Sequence, residues 1–175
     1  MYKILTPTAV IAVMATSLLG GLGAGSAQAA GSASTTFTVT ATVVSTCSAT
    51  AATLPFGNYT PGGGAIKVNT TISVACTNST PYTVALNAGT TTGDAFTQRL
   101  MANGTNTLQY NLYTTAQLAT VFGDGTGATA KISGTGAGVA TPSTITVYGQ
   151  LPDSASNQAT VPGSYSDTIT VTVAY

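Results

Sequence analysis

Phe37-Thr38-Val39-Thr40-Ala41-Thr42-Val43 is the stretch that decides the fold class, because apolar residues and threonine alternate in it without a fault. Successive side chains of a β-strand point to opposite faces, so a period of two places all the apolar side chains on one face. The threonines at 38, 40 and 42 then share the other face. The segment is therefore predicted to be a strand with one buried face.

The same alternation recurs along the chain, between turns rich in Gly, Pro and Asn. Its apolar members are Ile72, Val74 and Cys76; Tyr82, Val84 and Leu86; Leu108, Tyr110 and Leu112; Ile145 and Val147; and Ile169, Val171, Val173 and Tyr175. Short strands rich in Val, Ile, Thr and Tyr predict an all-β sandwich or barrel. The best helix candidate is the stretch 114–122, which Gly123 and Gly125 limit to one or two turns.

The composition limits the chemistry available to the chain. Its 175 residues suffice for one domain with a core, and 43% of them are hydrophobic. Only 5% are charged, and the sequence contains no His, Trp or Glu. General acid–base catalysis draws on His, Glu, Asp and Lys, so we do not expect an enzyme. The formal net charge of zero argues against nucleic acid and anionic lipid as partners.

The aspartates have a simple structural explanation. Asp94, Asp124, Asp153 and Asp167 each stand beside Gly, Pro or Ser. Such neighbours are typical of turns, where the Asp side chain accepts hydrogen bonds from nearby backbone N–H groups. A calcium loop instead needs several carboxylates at close spacing in the sequence. We therefore expect neither a metal site nor a cofactor.

Residues 1–29 have the features of a cleaved secretory signal. Lys3 precedes an apolar stretch from 4 to 22, and Ala27-Gln28-Ala29 supplies the pattern of small residues at a cleavage site. A transmembrane anchor is the alternative, but Thr, Ser and Pro interrupt the apolar stretch and no basic flank follows it. We expect an exported mature chain, residues 30–175, without a membrane anchor.

Export changes the interpretation of the two cysteines, Cys47 and Cys76. An even number of cysteines in an oxidising compartment favours a disulfide. A zinc site or a reactive thiol is the competing interpretation. Two cysteines without histidine do not provide a zinc ligand set, and the sequence offers no Cys–His pair.

Several short motifs occur in order between Ser45 and Tyr175. They are Leu54-Pro55-Phe56-Gly57-Asn58-Tyr59, the Thr71 to Cys76 strand, Tyr82 to Gly89, Leu108 to Tyr113, Val147-Tyr148-Gly149 and Pro162 to Thr168. Together they resemble the spore coat protein U domain family, which includes the major subunits of archaic chaperone-usher pili. The resemblance implies an incomplete immunoglobulin-like β-sandwich, lacking its final strand and completed by donor-strand complementation.

The resemblance also implies partners and roles for named residues. A periplasmic chaperone would fill the groove left by the missing strand, and the N-terminal strand of another pilin subunit would replace it at the outer-membrane usher. The donor side chains would be Phe37, Val39, Ala41 and Val43, and the edge of the groove that binds the chaperone would carry Ile169, Val171, Val173 and Tyr175. Cys47 and Cys76 match the disulfide of the family. Residues 30–43 would be the donor segment and residues 44–175 the pilin domain.

The function implied is a structural subunit of a cell-surface pilus, used for attachment and biofilm formation. A single domain favours the shaft over a tip adhesin, which carries an additional receptor-binding domain. Two alternatives remain: a secreted coat protein using the same assembly, and a self-contained carbohydrate-binding β-sandwich. In the latter, exposed aromatics would carry the function, and Tyr59, Tyr113 and Tyr148 are the candidates.

Overall fold

The structure, a computed structural model, describes residues 30–175. The signal-peptide prediction for residues 1–29 lies outside these described residues. Residues 30–41 belong to one unit and residues 42–175 to another. Residues 30–46 form no strand, and each of them is exposed.

The strand predicted for residues 37–43 is therefore not formed within this chain. A β-strand needs a hydrogen-bonded neighbour, and alternation specifies only which face is suited to burial. It does not specify which chain supplies the neighbouring strand.

Ten strands and one short helix follow in the described residues. In chain order they are β1 (Cys47–Ala51), β2 (Ile66–Cys76), β3 (Pro81–Leu86), β4 (Arg99–Asn103), β5 (Asn106–Tyr113), β6 (Val121–Phe122), β7 (Thr129–Ala130), β8 (Ile132–Thr135), β9 (Ser143–Leu151), α1 (Ala155–Gln158) and β10 (Val171–Ala174).

These strands form two sheets that enclose one core. The larger sheet has the order β1-β2-β9-β5-β6-β7, with β4 also paired to β5, and the smaller has the order β10-β3-β8. All pairs are antiparallel except β6 with β7. Side chains from both sheets pack into a single apolar cluster. The expected all-β sandwich is confirmed.

Most core residues belong to the alternating stretches of the sequence. Ile72, Val74, Cys76, Tyr82, Val84, Leu86, Leu108, Tyr110, Leu112, Ile145 and Val147 are all buried. Phe122 and Leu151, which no alternating stretch included, are buried as well. Cys47 and Cys76 are directly opposite each other on β1 and β2 and form the expected disulfide.

The helical content differs from expectation. The stretch 114–122 contains a turn closed by the Leu118 N–H to the Thr115 carbonyl at 3.0 Å, and it then enters β6. Leu118 has a φ of 56°, a left-handed conformation that does not continue an α-helix. The helix of the described chain is α1 instead, where the side chain of the N-cap residue Ser154 accepts from the Asn157 N–H.

Each sheet ends in a strand that has a single neighbour. β1 pairs only with β2 at one end of the larger sheet, and β10 pairs only with β3 at one end of the smaller sheet. Backbone groups on the outer edge of such a strand are available to another strand. The candidate site lies beside these two edges.

Candidate functional site

A groove of about 920 Å³ opens into the core beside β1 and β10. Its floor is apolar and carries side chains from both sheets. These are Ile72, Leu86, Leu108, Leu112, Val147 and Leu151. Asp167 is the one charged residue among those that line the groove. Such a surface suits an apolar occupant better than a charged one.

The last strand forms one edge of the groove. Ile169, Val171 and Val173 are half-buried and pack against the core, whereas Thr168, Thr170 and Thr172 are exposed. Ile169 and Val171 line the groove. Val173 lies beyond it, and Tyr175 is 60% exposed. Of the residues predicted for this edge, Ile169 and Val171 thus lie directly at the groove.

A second wall is the stretch 52–61, which follows β1 without forming a strand. Leu54 and Phe56 turn inward from it and pack against the core. Phe56 meets Tyr110 edge to face, with the ring centroids 5.8 Å apart. A Cβ at Gly149 would lie 2.8 Å from a methyl carbon of Leu54 and 3.1 Å from the Phe56 ring. The glycine in β9 therefore makes room for both side chains.

Asp153 fixes the end of this wall. Its carboxylate accepts from the Tyr59 hydroxyl at 2.5 Å, from the Gly64 N–H at 2.9 Å and from the Gly62 N–H at 3.1 Å. These three donors lower the pKa of Asp153 to about 2. Burial, together with the hydrogen bond to this carboxylate, raises the pKa of Tyr59 to about 12. Both groups keep the charge states that the hydrogen bond needs at neutral pH.

The third wall is the stretch 160–169, which Asp167 and a pair of backbone hydrogen bonds hold in place. Asp167 accepts from the Tyr110 hydroxyl at 2.5 Å and from the Thr90 N–H at 2.9 Å. Ala102 in β4 and Ser166 exchange two backbone hydrogen bonds, of 2.8 and 3.1 Å. Burial and the hydrogen bond to Asp167 raise the pKa of the Tyr110 hydroxyl, which stays protonated as a donor.

Asp94 lies close to Asp167, with Gly89 between the two carboxylates. A Cβ at Gly89 would collide with a carboxylate oxygen of each, and its φ of 126° also favours glycine. Burial and the charge of Asp167 raise the pKa of Asp94, although hydrogen bonds from the Leu100 and Thr91 N–H groups oppose the shift.

Arg99 supports this region with a side chain that is fully buried. Its guanidinium donates to the carbonyls of Asn87 and Phe122, both at 2.8 Å, and to the Asn111 Oδ1 at 2.6 Å. Burial lowers the pKa of this guanidinium. Because its hydrogen bonds join β4, β5, β6 and the loop after β3, Arg99 ties together the elements behind the groove.

The predicted donor residues lie in the N-terminal stretch. The side chains of Phe37, Val39 and Val43 are 87%, 79% and 88% exposed, and Ala41 is exposed as well. Large apolar side chains are rarely left this exposed in succession unless another molecule covers them.

Residues 30–175 contain no group of three or more His, Cys, Asp or Glu side chains arranged to hold a metal ion. The helix found in this part of the chain is too short and too polar to cross a membrane.

The sequence did not predict the residues that hold the groove walls. Their sequence neighbours indicate only turns for Asp153 and Asp167, whereas the tyrosines that bond them lie 94 and 57 positions away along the chain. The motifs that contain Tyr59, Tyr110 and Asp167 are the one sequence feature that points to these residues. Motifs alone do not indicate which side chains form hydrogen bonds with each other.

Comparison with known proteins places the chain in context. The Spore Coat Protein U domain matches residues 33–172. No curated protein matches the chain. A solved structure that it resembles is the pre-assembly complex of the chaperone CsuC with the tip adhesion subunit CsuE, from archaic chaperone-usher Csu pili of Acinetobacter baumannii.

The likeness to that structure has a TM-score of 0.54 at 24% identity, and it covers 77% of this chain and 41% of the matched chain. The chain thus spans about two fifths of the length of the chain it matches. At this identity the likeness bears on the fold, and it supports the immunoglobulin-like sandwich expected from the sequence.

Proposed function

This chain belongs to the Spore Coat Protein U domain family, and from that premise we propose that it is a secreted subunit of a chaperone-usher surface pilus. It polymerises by donor-strand exchange, in which the N-terminal segment of one subunit completes the sandwich of the next. The fibre serves attachment and biofilm formation.

The observation that carries the proposal is the open apolar groove beside two unpaired strand edges. β10 leaves one edge free, and the groove beside it is lined by half-buried apolar side chains such as Leu54, Ile169 and Val171. A complete sandwich would cover these side chains with a further strand. An inserted strand would pair with the free edge of β10 and place alternate side chains in the groove.

The occupant is the segment 30–43 of a second copy of the chain. Its apolar face, from Phe37 to Val43, spans about 20 Å when extended. Full burial of each large apolar side chain contributes about 1.5–3 kcal/mol. The threonines between them face outward, where their hydroxyl groups remain in water. No charged residue lies in this segment, which matches the apolar floor of the groove.

Assembly requires partners that prevent premature pairing. A periplasmic chaperone occupies the groove first, at the edge formed by Ile169, Val171, Val173 and Tyr175, and an outer-membrane usher exchanges it for the next subunit. The signal in residues 1–29 directs export to the periplasm, and the assembled fibre lies on the cell surface. The resemblance to a structure described as a chaperone-subunit complex supports this order of events.

The donor role is tested by substitutions on the two faces of the segment. Phe37→Ser, Val39→Ser and Val43→Ser together should abolish fibres, as should deletion of residues 31–42. The matched control changes Thr38, Thr40 and Thr42 to Ser on the opposite face and should assemble normally. Fibre length is measured by electron microscopy and light scattering. Normal fibres from the triple apolar variant would disprove the donor role.

The acceptor role is tested on β10. Val171→Arg places a charge in the groove and should block acceptance of a donor strand, whereas Thr172→Arg places the same charge on the exposed face. We expect only Val171→Arg to stop assembly. Equal effects of the two variants would show that the groove is not the acceptor.

The description of the family favours one other candidate function, a secreted coat protein. The same groove and donor segment would then connect subunits of a layer instead of a fibre. Electron microscopy of the assembled wild-type chain separates these outcomes, because a coat forms sheets and a pilus forms filaments.

A further inference from the structure

A second cleft lies on the opposite side of the larger sheet from the core. In the pairing of β5 with β9, Asn111 lies opposite Gln150 and Tyr113 lies opposite Tyr148. Their sequence neighbours, such as Leu112, are buried in the core, so these four residues share the outer face of the sheet. The cleft has a volume of about 320 Å³.

One wall of the cleft is a small reverse turn above this face. Ala95 and Gln98 exchange two backbone hydrogen bonds, of 3.1 and 3.0 Å. A side chain of the sheet holds the turn in place, because the Asn111 Nδ2 donates to the Phe96 carbonyl at 2.9 Å. The Arg99 guanidinium also lies 5.5 Å from the centroid of the Phe96 ring. Since Asn111 and Arg99 are both buried, the wall rests on fixed side chains.

The cleft is lined by neutral hydrogen-bonding groups. Its lining includes Thr97, Gln98, Gln109, Tyr113 and Gln150, and no charged residue is among the residues that line it. Gln98, Tyr113 and Gln150 each present a side-chain amide or hydroxyl among these lining residues. They are not buried, so these groups remain available to a ligand from solvent.

We propose that this cleft binds a neutral carbohydrate. A side-chain amide offers an acceptor oxygen and two donors, which matches a pair of sugar hydroxyls. The Tyr113 ring adds an apolar surface with a polar tip, suited to the C–H face of a pyranose ring. A phosphate or a carboxylate ligand would instead require a cationic side chain, which the cleft does not supply.

This inference goes beyond the proposed pilus function, because the cleft and the groove that would accept a donor strand share only Tyr110 among their lining residues. Where subunits are repeated along a fibre, which rests on that proposed function, weak sites would combine into stronger attachment. A single open site with few hydrogen bonds should bind with a dissociation constant of about 1 mM. Of the three tyrosines that the sequence offers as sugar-binding candidates, only Tyr113 lines this cleft.

The test uses the mature chain, residues 30–175, with ¹³C-labelled tyrosine, titrated by NMR in the presence of excess synthetic peptide of residues 30–43. The peptide fills the proposed groove and so prevents polymerisation, and if the groove does not accept it the chain stays monomeric without it. The probes are cellobiose, maltose and N,N′-diacetylchitobiose, each neutral. We expect at least one probe to shift the ring signals of Tyr113 in a saturable manner. Gln150→Ala should raise the dissociation constant about fivefold, which corresponds to the loss of one hydrogen bond.

Gln158→Ala is the matched control, because Gln158 is an exposed glutamine on α1 that does not line the cleft. It should leave binding unchanged, and both variants should keep the unfolding temperature of the wild type. If none of the three sugars shifts the Tyr113 signals, the proposal is overturned. It is also overturned if Gln150→Ala and Gln158→Ala weaken binding equally.

Discussion

Asp153 shows at the scale of single residues how the groove is shaped. Its carboxylate accepts hydrogen bonds from the Tyr59 hydroxyl and from the N–H groups of Gly62 and Gly64. These bonds fix the end of the groove wall formed by residues 52–61. Because these donors favour the charged carboxylate, its pKa in the folded chain is lowered to about 2. Its usual value is about 4, and the difference makes the contribution of this contact to stability dependent on pH.

The sign of this dependence follows from the lowered pKa. The stabilisation is fully present above about pH 4, and it is lost as the pH falls towards 2 and the folded carboxylate takes up a proton. Tyr59→Phe should therefore lower the free energy of unfolding at pH 7, and its difference from wild type should shrink between pH 4 and pH 2. Urea unfolding at several pH values measures this difference.

Tyr165→Phe is the control for this prediction. The Tyr165 hydroxyl donates to the Val161 carbonyl at 2.8 Å, a group that does not titrate, so the cost of this substitution should stay constant over the same pH range. The opposite shift at Asp94 is common to all the chains compared and cancels in the differences. A Tyr59→Phe difference that stayed constant down to pH 2 would contradict the assigned role of Asp153.

At the scale of elements, α1 owes its position to one buried side chain. Asn157 is fully buried in this four-residue helix. Its amide bonds both backbone groups of Gln109 in β5, accepting from the N–H at 2.8 Å and donating to the carbonyl at 2.9 Å. It also donates to the Pro152 carbonyl at 2.7 Å. Asn157 thus acts on β5 as a neighbouring strand would.

Asn157→Ala should lower the free energy of unfolding by about 2–4 kcal/mol, because it leaves partly buried backbone groups of Gln109 unpaired and opens a cavity where a fully buried side chain was. Asn157→Asp should also destabilise, since it keeps the acceptor but loses both donated hydrogen bonds. Gln158→Ala, one residue further along α1, is exposed and should change stability by less than about 0.5 kcal/mol. Urea unfolding measures all three. A cost at Asn157 no larger than that at Gln158 would contradict this account.

The sequence predicted most strands because alternation is a property of one segment. A run such as Ile72, Val74 and Cys76 shows which face is buried without any knowledge of its neighbours. Arg99 and Asn157 could not be predicted in this way, because their burial depends on carbonyls supplied by distant elements. The Phe122 carbonyl, for example, lies 23 positions after Arg99.

For the candidate site, too, alternation predicts the strand residues but not the irregular segments. The edge residues Ile169 and Val171 follow from alternation and lie at the groove. The walls at 52–61 and 160–169 form no regular strand, so periodicity carries no information about them. The hydrogen bonds of Asp153 and Asp167 hold those walls in place, and turn residues do not reveal their distant partners in the sequence.

At the scale of the whole molecule, the first and last described strands form open edges beside one groove. β1 is held to β2 by the disulfide between Cys47 and Cys76, and β10 is held to β3 by backbone pairing. Constraining a loop of this length contributes about 3–4 kcal/mol in the chain-entropy account. In the proposed assembly, the groove is therefore already formed when a donor strand arrives.

This arrangement predicts complementation by a separate peptide. A chain that begins at residue 44 should be stabilised by a synthetic peptide of residues 30–43, by about 2.7 kcal/mol when the free peptide is at 100 times its dissociation constant. A peptide with Phe37→Ser and Val43→Ser should have little effect, because it lacks the side chains that would fill the groove. A peptide with Thr38→Ser and Thr40→Ser keeps that face and should act like wild type. Thermal unfolding with increasing peptide separates the three, and equal stabilisation by all of them would show that the apolar face of the segment does not enter the groove.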